Sequence, residues 1–167
     1  QIKNRESFRP FAPVIKLDKL SEWFDLKIES PYMMVVSDVR KEKRITTHQM
    51  SEKTHGLDML AEIRSKIPAV THIDYSARIQ TVTMEQNSKL YMLISQFEKI
   101  TECPIIINTS FNIRGEPIVS SPLQAYECFM KTGIDFLVIE NYIIDKRKQD
   151  KTKVNFYQNQ YDDINLD

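Results

Sequence analysis

Apolar residues along this chain gather into short runs separated by charged or proline-bearing stretches, a pattern that predicts several strands interleaved with single helices. Phe11 to Leu17 reads as a strand opened and bent by Pro10 and Pro13, each of which withholds a ladder donor and favours a sheet edge or a strand start. Asp18 to Phe24 predicts a helical turn or two. Tyr32-Met33-Met34-Val35-Val36, following Ser30-Pro31, predicts a buried strand, and the charged stretch Ser37 to Lys53 predicts a loop. Leu57, Leu60, Ala61 and Arg64 carry weak helical spacing that ends at Ile67-Pro68, and two strand-like segments follow, Ala69 to His72 and Ala77 to Val82.

Ser88 to Ile100 gives the clearest helix. Leu90, Leu93, Ile94, Phe97 and Ile100 recur on one face, with Lys89, Gln96 and Lys99 between them. Pro104 to Asn108 reads as a strand covered on both faces. Ser121 is placed as the N-cap of a further helix, with Pro122 at its first position, Gln124 able to close a capping box, and Gly133 as a left-handed stop. Asp135 to Ile139 and Tyr142 to Ile144 read as strands joined by a tight turn at Glu140-Asn141. The expected fold class is α/β (α+β), an open twisted mixed sheet with interleaved helices. Residues 1–146 form the expected domain, and residues 147–167, polar and rich in asparagine, an expected poorly ordered tail.

Composition narrows the functional classes. With 23 Lys+Arg against 23 Asp+Glu the formal charge is zero, which argues against a broad basic face for duplex nucleic acid but leaves room for a small anionic ligand. No run of eighteen apolar residues exists and the N-terminus is unlike a signal peptide, so no membrane partner is expected and the expected location is cytoplasmic. Two cysteines, Cys103 and Cys128, read as buried free thiols. Three glycines exclude glycine-rich phosphate loops of the Walker or dinucleotide type.

Four segments carry polar residues that a core does not require. Lys3 and Arg5, one residue apart, project to the same side of an extended backbone, so both can reach one phosphate; a solvated terminus is the alternative. Arg9, held among Phe8, Pro10, Phe11 and Pro13, reads equally as a stacked structural residue or an anion ligand. His72 and Asp74 can face one way as a His–carboxylate pair, more in keeping with a structural hydrogen bond than a metal site because no third ligand stands at suitable spacing. Arg78, in the strand that follows, must find an anion, a carbonyl or solvent for its head. Asn108-Thr109-Ser110-Phe111-Asn112-Ile113-Arg114-Gly115-Glu116-Pro117 turns abruptly from apolar strand to polar loop, as site-lining loops do. Ser110 and Asn112 alternate so that both can face one ligand. No base stands at triad-like spacing to make Ser110 a nucleophile, which leaves phosphate binding as the better reading.

In order along the chain, Lys3 to Pro13, Ser30-Pro31-Tyr32-Met33, Thr71 to Asp74 with Ala77 to Val82, Asn108 to Val119 and Asp135 to Val138 resemble the C-terminal, YrdC-like domain of the NodU/CmcH-type O-carbamoyltransferases. The resemblance implies an open α/β sheet with a concave site, and a domain that turns carbamoyl phosphate and ATP into carbamoyladenylate with Mg2+ on the nucleotide. It assigns Lys3/Arg5 and Ser110/Asn112 to holding ATP and the carbamoyl group, with Arg9, His72, Arg78, Thr109 and Arg114 as further substrate or nucleotide contacts for which packing roles stay open.

The same resemblance implies a kinase-like N-terminal domain of the same polypeptide, carrying the metal of the transfer step and moving the carbamoyl group to an acceptor hydroxyl. Lys3-Asn4-Arg5-Glu6, charged and followed at once by dense aromatic and proline residues, is the start expected of a chain cut from something longer. Tyr75 and Glu102 stand where the family usually has glycine, and Ser120-Ser121 differs from its commoner Cys-Thr. The alternative reading is a non-catalytic nucleotide- or RNA-binding module on the same fold, which the neutral charge disfavours.

Overall fold

The computed structural model describes residues 9–45, 63–150 and 152–153. Lys3, Arg5, most of the weak helical segment 57–64 and the end of the expected tail lie outside these residues. The chain divides at the Thr109–Ser110 step into two compact units.

The first unit is built on a mixed four-stranded sheet. Its strands are β1 (Ala12–Lys16), β2 (Val35–Asp38), β3 (Ser76–Val82) and β4 (Ile105–Asn108), in the order β2-β3-β1-β4. β1 runs parallel to β3, with Val14 beside Gln80, and antiparallel to β4, with Val14 beside Ile106. β2 is antiparallel to β3, with Val36 beside Arg78. The fold is therefore α+β with a mixed sheet, as the sequence pattern indicated.

Every residue of β1 is buried, because β1 is an interior strand rather than the edge its prolines suggested. Pro13 is accommodated as the second residue of the strand, opposite Ile107. One face of the sheet packs Ile15, Ala77, Ile79 and Ile105 against Trp23 and Phe24, the last residue and the C-cap of a single helical turn, α1 (Leu20–Trp23). The fully buried Ile15, Ile79 and Phe24 side chains each contribute about 1.5–3 kcal/mol. On the other face Val14 and Val82 pack against Ile94 of α2 (Ser88–Thr101). Asn87 caps this helix by accepting from Leu90 N at 3.0 Å.

Several expectations are corrected here. Ala69–His72 is not a strand: Pro68–Val70 forms a 3-10 turn. Proline at its first position and two hydroxyls explain it, since Ser65 Oγ accepts from Ile67 N and Thr71 Oγ1 donates to the Ile67 carbonyl, taking backbone partners a ladder would need. The Tyr32–Val36 segment is not buried, for Tyr32 and Met34 are 82% and 83% exposed and the strand begins only at Val35, on the sheet edge. β4 is likewise an edge strand with Ile107 exposed, not one covered on both faces. Only Ile94 of the apolar face of α2 is buried; Leu93, Phe97 and Ile100 face outward.

The second unit contains α3 (Pro122–Lys131) and an antiparallel hairpin, β5 (Phe136–Ile139) with β6 (Tyr142–Asp145), turning at Glu140-Asn141 with Glu140 at φ +52°. Its core joins Ala125, Phe129 and Met130 to Leu137. Ser121 Oγ accepts from Gln124 N at 3.2 Å, as a cap should, while the Gln124 side chain accepts from Ser120 N rather than from Ser121. Gly133 is not left-handed. The helix instead ends on Thr132, whose hydroxyl donates to the Cys128 carbonyl, and on Lys146, whose ammonium donates to the Phe129 and Thr132 carbonyls. Burial beside the Phe129 ring pulls that ammonium below its ordinary pKa. Lys146–Lys148 continues as a 3-10 turn, with Tyr126 Oη donating to Gln149 at 3.0 Å. Neither Cys128 nor Cys103 is in a disulfide; Cys128 is buried and Cys103 only partly buried, correcting that half of the thiol expectation.

Candidate functional site

In the first unit the sheet face shared with α2 changes character along its length. Near the helix it is apolar. Away from it, strand alternation puts Arg78 and Gln80 of β3 and Asn108 of β4 on that same face. Arg78 is exposed and has no hydrogen bond or ion pair among the described residues. Gln80 and Asn108 are half-buried and linked, with Asn108 Nδ2 donating to Gln80 Oε1 across the intervening β1.

The Ser30-Pro31 segment is fastened to β3. Ser30 N donates to Thr81 Oγ1 at 2.9 Å, its hydroxyl donates to the Ile79 carbonyl at 2.8 Å, and Gln80 Nε2 donates to the Pro31 carbonyl at 3.1 Å. Between this segment, the end of β3 and the start of α2 lies an open cavity of about 410 Å³, lined by Pro31, Tyr32, Gln80, Gln86, Asn87 and Leu90 among others. Its size falls in the range of small-ligand pockets.

His72 and Asp74 are both exposed and lie in the tight turn that feeds β3. They do not form a hydrogen-bonded pair. Asp74 instead accepts from Ser76 N at 2.9 Å, and the Ser76 hydroxyl and amide hold its carboxyl below the usual range, with the His72 charge a smaller contributor. The turn closes through Tyr75 N donating to the His72 carbonyl and His72 N to the Ser76 carbonyl, with Tyr75 at φ +67°. Tyr75 thus keeps the left-handed conformation that a glycine would take there, steadied by the Arg44 guanidinium 4.5 Å from its ring centroid. Arg9 is exposed and has no partner among the described residues. Thr109, the last residue of this unit, is exposed.

In the second unit, Ser110 and Asn112 are hydrogen-bonded to each other. Ser110 Oγ donates to Asn112 Oδ1 at 2.6 Å, and Asn112 Nδ2 donates to the Glu116 carbonyl at 2.9 Å. Glu116 N donates to the Ile113 carbonyl, and Gly115 at φ +80° makes the turn between them, a conformation that L side chains seldom adopt. Buried Ile113 anchors the loop from below, and Lys131 of α3 pairs with the Glu116 carboxylate at 3.1 Å. Arg114 is exposed. The loop therefore holds its polar side chains in one geometry before any ligand arrives.

Reasoning from sequence gave no site role to Gln80, and it singled out Asn108 only as the first residue of the polar loop. A signal for both existed: each is a polar residue on a strand whose neighbours are apolar. Among the described residues no group of three His, Cys, Asp or Glu side chains is arranged to hold a metal ion, and no helix is long and apolar enough to cross a membrane.

The blocks that carry these features mark a known family. The chain belongs to the family described as the carbamoyltransferase C-terminus, whose model matches residues 1–146. It is 50% identical over 149 residues to the Synechocystis protein named uncharacterized protein sll1178, covering 89% of this chain and 24% of that protein. To the nodulation protein NolNO of Sinorhizobium fredii it is 38% identical, covering 87% of this chain and 19% of that protein. To the 3'-hydroxymethylcephem-O-carbamoyltransferase of Amycolatopsis lactamdurans it is 32% identical, covering 83% and 22%. The chain thus spans about a fifth to a quarter of the length of these relatives.

Proposed function

We propose that this chain performs the carbamoyl-activating half-reaction of an ATP-dependent O-carbamoyltransferase. Carbamoyl phosphate and water yield carbamate and phosphate. A carbamate oxygen then bonds to the α-phosphorus of ATP as the bond from that phosphorus to the bridging oxygen breaks, and pyrophosphate leaves carbamoyladenylate behind. Such a reaction gathers several anionic oxygens, so catalysis is chiefly positioning and charge neutralisation.

The observation that carries the reading is the Ser110–Asn112 couple, fixed by the Glu116 carbonyl in a chain of this family. A preset hydroxyl and amide orient phosphate or carbamoyl oxygens without reorganisation. Arg78, exposed and without a hydrogen bond or ion pair among the described residues, is suited to anion recognition, and Arg9 shares that property. In this proposal Lys3 and Arg5 supply further charge to the nucleotide phosphates, and His72, Thr109 and Arg114 have contact roles. Mg2+ enters with the nucleotide, held by its phosphate oxygens, and supplies charge neutralisation there. Transfer to an acceptor hydroxyl of a small molecule or sugar belongs to a kinase-like N-terminal domain of the same polypeptide, with its own metal, in keeping with relatives four to five times longer. The proposed location is cytoplasmic, where ATP and carbamoyl phosphate are available.

The test is pyrophosphate release by the purified chain given ATP, Mg2+ and carbamoyl phosphate. Release that depends on carbamoyl phosphate, and that falls when Lys3 or Arg5 is replaced by alanine, supports the reading. Absence of release together with absence of ATP binding by calorimetry removes it.

A further inference from the structure

The Pro31–Gln80–Asn108 chain has a direction. A main-chain carbonyl can only accept, so the Gln80 atom facing Pro31 O must be Nε2, and the atom facing Asn108 is then Oε1. An oxygen acceptor there requires Asn108 to turn Nδ2 toward Gln80. Asn108 Oδ1 is therefore held in one orientation as an acceptor, and it has no partner among the described residues although the side chain is half-buried. It shares its sheet face with Arg78, which likewise has no hydrogen bond or ion pair among the described residues.

From this we infer that Asn108 is a specificity-determining residue, and that its Oδ1 accepts a hydrogen bond from a conjugated amino group of the substrate, with Gln80 as the positioning residue behind it. The inference rests on the activation reading above, whose two substrates each carry one such group, the carbamoyl amino group and the adenine 6-amino group. The cations suit phosphates and carbonyl oxygens, and Asn112 Oδ1 already accepts from Ser110 Oγ, whereas Asn108 Oδ1 has no donor among the described residues. A fixed acceptor reads an amino group, and rejects an analogue with a methyl group or an oxygen in that place because the acceptor is then left unpaired.

The experiment compares binding of carbamoyl phosphate with acetyl phosphate, and of ATP with ITP, for the unaltered chain, Asn108→Val and Asn108→Thr. Both replacements are β-branched and suit a strand. The unaltered chain is expected to prefer the amino-bearing member of one pair by about tenfold or more, and the Asn108 variants to lose about tenfold of that preference. Loss confined to the first pair assigns the carbamoyl amino group, and loss confined to the second assigns the adenine.

Gln80→Leu should lower the same preference, and Gln80→Glu, which still accepts from Asn108, should restore most of it. If neither pair is distinguished by the unaltered chain, or if both ratios survive in the Asn108 variants, the inference is overturned. Pyrophosphate release with both ratios unchanged sinks Asn108 alone, whereas no release and no binding by the unaltered chain sinks the functional reading and Asn108 with it.

Discussion

Lys16 Nζ of β1 lies 2.6 Å from Glu98 Oε2 of α2, and the lysine side chain is the more deeply buried of the two, 8% exposed against 24%. Burial alone would pull the Lys16 ammonium down. The hydrogen bond and charge of Glu98, aided by Asp18, more than offset it, so the group titrates above its ordinary value. Glu98→Leu leaves a buried ammonium without its partner and is expected to cost about 3 kcal/mol. Lys16→Met leaves a carboxylate that reaches water and is expected to cost about 1 kcal/mol. Because the folded pKa is raised, the stabilisation is fully present below the ordinary lysine value of 10.5 and is lost as pH rises through the folded value. Urea unfolding of the chain and of Glu98→Leu from pH 7 to 11.5 should show a difference that holds to about pH 10 and then shrinks.

Tyr75 and Glu102 both have positive φ, +67° and +60°, where glycine relieves strain. Glu102→Gly, at the end of α2, should stabilise by about 0.5–1 kcal/mol, the relief exceeding the entropy that glycine adds to the unfolded chain. Tyr75→Gly also discards the ring under Arg44 and should gain less or nothing. Thermal melts of the two variants side by side check this; an equal gain at both positions would show that the Arg44 contact contributes nothing.

Arg78 and Arg44 should behave oppositely. Arg44 donates to the Val39 carbonyl at 2.7 Å and to Asp38 at 3.0 Å, so Arg44→Ala should lower the melting temperature. Arg78→Ala should leave melting within about a degree or two, since it removes no hydrogen bond or ion pair among the described residues, and weaken phosphate-ligand affinity about tenfold or more. Paired melting and calorimetry decide it.

Ser110→Ala should lower pyrophosphate release on the order of a hundredfold with little change in stability. Lys131→Met, which frees Glu116 and through it the carbonyl that holds Asn112, should lower the rate less, and Lys131→Arg should restore it. Initial rates at saturating ATP separate the three variants.

Local chemistry was readable from the sequence wherever the partner lay a few residues away. The Ser121 cap and the β5–β6 turn both followed from spacing. The period of α2 was plain, yet which of its apolar residues meet the sheet was not, because a helix of right period can present Ile94 and leave Ile100 83% exposed. Pro13 suggested an edge because its missing donor is a local fact, whereas the position of β1 between β3 and β4 depends on strand order. Asn108 and Gln80 are 28 residues apart and meet only through that order. Arg78 was singled out for the need of its head to find a partner, and it is exposed with no hydrogen bond or ion pair among the described residues.

The cores of the two units share no residue: one gathers around Ile15, Phe24 and Ile79, another around Val14 and Ile94, and the third around Phe129 and Leu137. Cooperativity can therefore stop at the Thr109–Ser110 step, and a single midpoint need not describe unfolding of the whole chain. Trp23, the only tryptophan, belongs to the first of these cores. Indole emission consequently witnesses the unit that bears Lys16, Glu98 and Arg78, and amide hydrogen exchange across α3 and the hairpin reports on the unit that bears Ser110.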